Sequence, residues 1–145
     1  MNDTIAKFGY PRTLIAEYDH WVVLLREKQL TAGCLILACT GAAEALPDIG
    51  GAAFEVLAKV TRDIEHNLKC WIRFERINYL MLMMVDPHVH FHVIPRYRGK
   101  RELAGQVLAD TGWPKPPDLG AAVQLVEADA ERVVRFMRES WVRLA

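Results

Sequence analysis

The segment HVHFHVIP, residues 88–95, alternates histidine with apolar side chains. Because successive side chains of an extended strand point to opposite faces, His88, His90 and His92 should share one face and the apolar side chains the other. With five histidines in the chain, three at this spacing arise by chance with a probability of about 0.006. We therefore predict a strand with one imidazole face and one apolar face.

Hydrophobic spacing predicts the other elements of the first hundred residues. Runs of β-branched, aromatic and aliphatic residues indicate strands at 13–18, 21–25 and 34–38, which should form an antiparallel meander. Apolar residues three to four positions apart over 54–71 predict an amphipathic helix. Residues 77–85 predict a buried strand that is stopped by the Asp-Pro dipeptide and pairs with the histidine strand as a hairpin.

The rest of the chain predicts a loop and a helix. Pro95 and the cationic segment 96–101 should end the histidine strand, and the proline-rich stretch 112–120 should be irregular. An apolar stripe over 123–144 predicts a second amphipathic helix. The order βββαββα argues for an α+β fold, an antiparallel five-stranded sheet with two main helices. We predict a single domain covering residues 1–145, a length at which 52% hydrophobic residues suffice for one core.

Composition excludes several classes of partner. Lysine plus arginine and aspartate plus glutamate balance at 18 each, so we expect neither nucleic acid nor a membrane surface as a partner. The three cysteines form no CxxC pair, which is typical of reduced thiols in a cytosol. The N-terminal residues lack a signal-peptide pattern, and the longest apolar run, 79–85, is too short to span a bilayer. We therefore expect a cytoplasmic protein.

Three interpretations of the histidines compete. They could be ordinary side chains on a half-exposed strand, but three imidazoles in a row crowd positive charge below neutral pH without a packing gain. They could bind a metal, although two histidines at i and i+2 generally recruit a third ligand from elsewhere. They could act on phosphate, because an unprotonated imidazole attacks phosphorus and is later a good leaving group.

The residues HVHFHVIPR, 88–96, closely resemble the histidine-triad (HIT) motif, in which three histidines and four apolar residues follow a strict order. Residues 19–37 are similar to the hairpin that precedes the helix in such proteins. The resemblance covers about 13–97, and residues 98–145 add nothing to it. It implies a HIT-like fold, a homodimer, and a nucleotide hydrolase or transferase that acts through a covalent nucleotidyl-histidine intermediate.

The resemblance also implies roles for individual residues. His90 would be the nucleophile, His88 would orient it, and His92 would bind phosphate oxygens. Asn78 resembles a strand asparagine that contacts the nucleotide, with an ordinary strand amide as the alternative. Arg96 is a candidate phosphate ligand, as are three further cations of a segment that could equally be a solvated basic loop: Arg98, Lys100 and Arg101. The two remaining histidines, His20 and His66, have no motif context.

The sequence departs from the motif just before the triad. Met84 and Val85 stand where many relatives carry Gln-Ser or Gln-Thr, whose hydroxyl assists the leaving group. Asp86 could substitute as a proton donor, or be a plain turn residue. A polyphosphate leaving group needs less protonation than an amine, so the departure favours phosphoanhydride over phosphoramidate substrates.

We therefore expect a hydrolase of nucleoside or dinucleoside polyphosphates, such as diadenosine tetraphosphate. It should need no protein-bound metal or other cofactor, although magnesium could accompany the substrate phosphates. Two alternatives stay open, a nucleotide-binding protein without turnover and a histidine-ligated metalloprotein.

Overall fold

A five-stranded antiparallel sheet organises the chain, as the sequence predicts. The computed structural model describes residues 1–144. In chain order its elements are α1 (Asp3–Lys7), β1 (Leu14–Tyr18), β2 (Trp21–Leu25), β3 (Lys28–Gln29), β4 (Leu35–Cys39), α2 (Gly51–Ile72), β5 (Arg76–Leu80), β6 (His90–Arg96), β7 (Lys100–Leu103), β8 (Gln106–Ala109), β9 (Val123–Gln124) and α3 (Glu127–Ser140). The sheet order is β1-β2-β4-β6-β5, and the α+β fold class with two main helices is confirmed.

The strands β2 and β4 are buried on both faces of the sheet. The side chains of one face form the main core with the buried stripes of α2 and α3, which include Ile64, Leu68 and Val133. Each such side chain contributes roughly 1.5–3 kcal/mol when it is removed from water. The other face carries a smaller cluster in which Ile5 of α1 packs on Ile36 and neighbouring strand residues. The triad strand β6 therefore lies in a sheet that is covered on both sides.

Helix α2 forms where the three-to-four-residue spacing predicts it and extends slightly beyond, from Gly51 to Ile72. It ends at Arg73, which adopts a left-handed conformation with φ 49° and donates its backbone N–H to the Lys69 carbonyl at 2.9 Å. This is the common way of satisfying a carbonyl in the last helical turn.

The strand predicted at 77–85 is shorter than expected. β5 ends at Leu80, and residues 81–89 form the connection to β6. Leu80 pairs with His92 and is the last β5 residue in the ladder, and Met83 takes a positive φ of 52°, which a strand does not allow. The two strands do pair antiparallel, but through a nine-residue loop instead of a tight hairpin.

The ends of the triad strand also differ from the prediction. His88 precedes the strand, which begins at His90, and Pro95 lies inside the strand, which continues to Arg96. The Pro95 carbonyl points away from β5 and accepts a hydrogen bond from the Thr31 hydroxyl at 2.6 Å. On that side β4 begins only at Leu35, which pairs with Val93, so no ladder bond requires an amide at position 95.

The segments flanking the sheet contain elements that the sequence interpretation missed. The strand β7 begins at Lys100, inside the predicted basic loop, and pairs with β8 as a hairpin, and β3 pairs with β9. The last helix is shorter than predicted, because Val123 belongs to β9 and the helix covers only Glu127–Ser140. Residues 112–118 are irregular, as expected. Cys34, Cys39 and Cys70 are free thiols, and across residues 1–144 every helix is too short or too polar to cross a membrane.

Candidate active site

The strand β6 places His90 and His92 on one face of the sheet, as the alternation predicts. Their ring centroids are 5.2 Å apart, and Phe8, which follows α1, lies 5.5 Å from the His90 ring and 6.0 Å from the His92 ring. His90 is only 2% exposed and His92 8%. The two imidazoles are therefore held in a packed aromatic group and cannot rotate freely.

The hydrogen bond of His90 fixes which of its nitrogens is reactive. Nδ1 of His90 lies 2.7 Å from the backbone carbonyl oxygen of His88, which can only accept a hydrogen bond. Nδ1 must therefore carry a proton, and in the neutral ring Nε2 keeps its lone pair. In a neutral ring anchored in this way, Nε2 is the nitrogen that can act as a nucleophile.

His88 is fixed in turn by α1. The Thr4 hydroxyl lies 2.9 Å from Nδ1 of His88 and accepts the backbone N–H of His88 at 3.2 Å. Thr4 is 2% exposed. One hydroxyl thus holds both the ring and the backbone of the residue whose carbonyl orients His90.

We expect the substitution Thr4→Val to weaken this arrangement with little change of volume. It removes the hydroxyl and leaves the His88 backbone N–H without its acceptor, so the free energy of unfolding should fall by about 1–3 kcal/mol. Chemical denaturation measures this effect. Thr4→Ser, which keeps the hydroxyl, is the control, and an equal loss of stability in both variants would contradict the assignment.

His92 is held as a neutral ring that donates from Nε2. Arg26 donates its Nε–H to Nδ1 of His92 at 3.1 Å, which requires an unprotonated Nδ1. Burial is the largest cause that lowers the pKa of His92 to about 4, and the charge of Arg26 and the neighbouring His90 ring are smaller causes in the same direction. His92 therefore provides a neutral N–H donor at neutral pH.

The variant Arg26→Met should raise the pKa of His92 above about 4. It removes the cation but not the burial, which is the larger cause, so the pKa should stay below the ordinary value of about 6.5. In the parent protein the unfolded chain binds a proton at His92 as the pH falls from about 6.5 while the folded chain does not, so stability decreases towards pH 4.

NMR titration of the imidazole nitrogens tests this expectation. Lys28→Met is the control, because Lys28 lies at the same cleft but does not contribute to the shift of His92. An unchanged pKa of His92 in Arg26→Met would show that the contact is without electrostatic effect.

A cleft of about 360 Å³ opens beside His92. Its cationic side chains are Lys7, Arg26 and Lys28, and Phe8 supplies an aromatic surface. The other residues lining it are Glu27, Val85, Asp86 and Gln124. The cleft thus combines cations, an aromatic ring and the His92 N–H, a set of groups that suits an anionic aromatic ligand.

The loop before the triad covers one side of this cleft. Met84 is 85% exposed and Val85 78%, so these apolar side chains project into solvent. Asp86 forms an ion pair of 2.6 Å with Lys7. A carboxylate that accepts from a lysine is poorly placed to donate a proton, which argues against the role of Asp86 as a substitute acid.

The structure places Asn78 and Arg96 away from this cleft. Both line a second cleft of about 410 Å³ on the same face of the sheet. Arg96 forms a buried ion pair with Asp110 at 2.7 Å and also bonds the Lys115 carbonyl and Asn78 Oδ1. Most donors of Arg96 are therefore engaged within the protein, and its predicted contact with phosphate, like that of Asn78, stays a prediction.

The other candidate cations and histidines lie outside the 360 Å³ cleft. Arg101 donates to the carbonyl of Ile72, and Lys100 begins β7. His20 lies at a turn beside a polar depression of about 590 Å³, and His66 is on α2. The residues that sequence reasoning missed, Thr4 and Arg26, carry no local signal, because their roles arise from contacts across 84 and 66 positions.

Comparison with solved structures identifies the fold. A histidine-triad protein from Sinorhizobium meliloti superimposes with a TM-score of 0.73 at 20% identity, over 96% of this chain and 94% of that one. This chain has the histidine-triad fold. A hypothetical histidine triad nucleotide-binding protein from Sulfolobus tokodaii shares it with a TM-score of 0.69 at 17% identity, over 94% and 88% of the two chains.

A zinc-bound histidine triad family protein from Mycobacterium smegmatis has the same fold, with a TM-score of 0.59 at 17% identity over 93% and 89% of the chains. No protein-family model matches this sequence, and no curated protein matches it. Within residues 1–144 of this histidine-triad fold, no three His, Cys, Asp or Glu side chains are grouped as metal ligands.

Proposed function

We propose that this protein is a nucleotide hydrolase of the histidine-triad superfamily that cleaves nucleoside or dinucleoside polyphosphates. The observation that carries the proposal is the bond from His90 Nδ1 to the His88 carbonyl, which in the neutral ring leaves the lone pair on Nε2, with the donor His92 beside it. Three cations line the cleft beside His92 and suit phosphate groups.

The reaction proceeds in two steps, transfer of the nucleotidyl group to His90 and its hydrolysis. Nε2 of His90 attacks the α-phosphorus, a nitrogen–phosphorus bond forms, and the bond from phosphorus to the bridging oxygen breaks, with its electron pair leaving on the departing phosphate. Water then attacks the same phosphorus, releasing a nucleoside monophosphate and returning the electron pair to Nε2, while the proton of the water passes to solvent. His92 donates from Nε2 to an equatorial oxygen, where negative charge accumulates.

The residues that line the two clefts favour one kind of leaving group. Among the described residues, neither lining includes a hydroxyl. The described lining of the second cleft has no carboxylate, and the two carboxylates of the first are each engaged by a cation, Asp86 by Lys7 and Glu27 by Arg12. An amine would depart slowly without a proton donor, whereas a phosphate is already a weak base. This supports phosphoanhydride substrates such as diadenosine tetraphosphate over phosphoramidates.

Mass spectrometry of the protein mixed rapidly with diadenosine tetraphosphate tests the proposal. We expect an added nucleotidyl group on His90, detected at alkaline pH to preserve the nitrogen–phosphorus bond, and release of nucleoside monophosphate. A panel of nucleoside polyphosphates and phosphoramidates ranks the substrates. Binding without any adduct or released monophosphate would favour a nucleotide-binding protein without turnover.

A metalloprotein is the second candidate, because one structural neighbour is zinc-bound. Here Nδ1 of His90 and Nδ1 of His92 are both engaged by the protein, and the described residues provide no third ligand beside them. Elemental analysis of the purified chain separates the two candidates. Stoichiometric zinc would favour the metal site. Magnesium would enter only with the substrate phosphates, and no other cofactor is required in this proposal.

We also propose that the protein is a cytoplasmic homodimer, with α2 and the neighbouring edge of the sheet as the interface. Two features support this surface: β5 is an edge strand, and Phe54 on α2 is 42% exposed. An edge strand offers unpaired backbone groups to another chain. Light scattering at micromolar concentration should give twice the mass of the chain, and a monomeric mass would contradict the interface.

A further inference from the structure

The second cleft lies beside strand β5, on the face of the sheet that carries His90 and His92. It is lined by alternate strand residues, Arg76, Asn78 and Leu80, by Arg96, and on its far side by residues 113–117. Leu80 pairs with His92 in the β5-β6 ladder. Asn78, two residues away, is about 7 Å further along the strand. The two clefts are thus close enough for one extended ligand to reach both.

The polar side chains of this cleft offer hydrogen-bond donors to a ligand. Arg96, held by Asp110, donates to Oδ1 of Asn78 at 3.0 Å and so orients the amide. The Asn78 amide nitrogen makes no hydrogen bond to any described residue, and no buried side-chain atom of the described chain lacks a partner. This nitrogen is therefore open to solvent and available to an acceptor on a ligand.

The cleft also carries uncompensated positive charge. Asp110 neutralises Arg96, but Arg76 and Lys115 are exposed and have no carboxylate within 4.0 Å among residues 1–144. Within residues 1–144, the only hydrogen bond from the Arg76 side chain goes to the carbonyl of Glu75, its neighbour in the chain. The described residues lining the cleft include no acidic side chain. Two cations without counter-charges favour an anion with more than one negative charge.

An aromatic wall completes the cleft. Trp113 is half-buried, and its indole N–H makes no hydrogen bond to any described residue. Three prolines, at 114, 116 and 117, restrict the backbone beside it, so little conformational entropy is lost on binding. An indole that lines a cleft together with two cations is a combination that suits a nucleobase with phosphates.

We propose that this cleft binds the leaving half of the substrate, the distal phosphates and the second base of a dinucleoside polyphosphate. The inference rests on the proposed function, in which the α-phosphate is held at His90 and the rest of the substrate must extend away from it. Arg76 and Lys115 contact the distal phosphates, and Trp113 stacks on the second base. The second cleft thus selects substrates with a long leaving group over nucleoside monophosphates and diphosphates.

Equilibrium binding to the full chain tests the inference without turnover. The probes are AMP and the analogue of diadenosine tetraphosphate with methylene bridges at both α,β positions, neither of which can be cleaved. We expect the analogue to bind more tightly than AMP. The double variant Arg76→Gln, Lys115→Gln should weaken binding of the analogue roughly tenfold or more, as expected for two phosphate contacts, and remove its advantage over AMP.

A charge-matched double variant, Lys59→Gln with Arg135→Gln, is the control, because these cations lie on α2 and α3. It should bind the analogue as the parent does. Equal loss in both double variants, no loss in the Arg76 and Lys115 variant, or no advantage of the analogue over AMP would each overturn the inference. If the analogue binds as expected but no His90 adduct forms with the cleavable substrate, the site stands and the hydrolase proposal fails.

Discussion

The substitution His90→Ala is expected to eliminate the release of nucleoside monophosphate, with turnover reduced by about 10⁴-fold or more, the scale seen when an enzymatic nucleophile is removed. The reason lies in the geometry of one nitrogen. In the neutral ring, Nε2 of His90 keeps its lone pair because Nδ1 donates to the His88 carbonyl at 2.7 Å. His92 cannot replace it, since its Nδ1 accepts from Arg26 and its Nε2 must then carry the proton.

Stability has to be measured alongside activity in this variant. A histidine in an open surface pocket could be replaced with little effect on the fold, but His90 is 2% exposed and packs 5.5 Å from the Phe8 ring. A loss of about 1–3 kcal/mol in the free energy of unfolding is therefore expected. Circular dichroism shows whether the chain still folds at the assay temperature, and His66→Ala is the control for a histidine outside the site. Undiminished hydrolysis by folded His90→Ala would refute the mechanism.

The spacing of apolar side chains predicted the strand that carries the histidines and the long helix. The alternation around His90 indicated a strand with an imidazole face, and the spacing over 54–71 indicated a helix that the structure extends to Gly51–Ile72. The predicted end of a strand was wrong where strand pairing determines it. β5 ends at Leu80, because its ladder with β6 ends there. The β7-β8 hairpin was missed, although Gly105, with φ 88°, is a recognisable turn signal.

Of the candidate site, the sequence predicted the residues of the motif but not those that contact them from elsewhere in the chain. The triad was found because its three histidines are adjacent in sequence, whereas Thr4 and Arg26, which set the hydrogen bonds of the triad, come from distant segments. Arg96 shows what the motif leaves out. A cation beside a phosphate motif suggests a ligand contact, but the sequence does not reveal that Asp110 folds back onto it. Tertiary contacts, which no spacing rule encodes, decide both cases.

The largest effect on stability is expected from Asp110→Ala. The side chains of Asp110 and Arg96 are 3% and 4% exposed, and the carboxylate accepts from Nε of Arg96 at 2.7 Å and from Nη2 at 3.1 Å. It also accepts the backbone N–H groups of Tyr97 and Gly112. Removing it leaves a buried guanidinium without a counter-charge, which costs about 3–5 kcal/mol in comparable pairs.

Denaturant titration of Asp110→Ala against Asp129→Ala measures this difference between a buried and an exposed ion pair. Asp129 contacts Arg132 at 2.9 Å, close to the distance in the buried pair, but the two side chains are 33% and 46% exposed. Solvent screens that pair, so its loss should cost less than about 1 kcal/mol. Similar losses in the two variants would mean that Arg96 reaches water once Asp110 is gone. In that case the wall of the second cleft would be less rigid than its hydrogen bonds indicate.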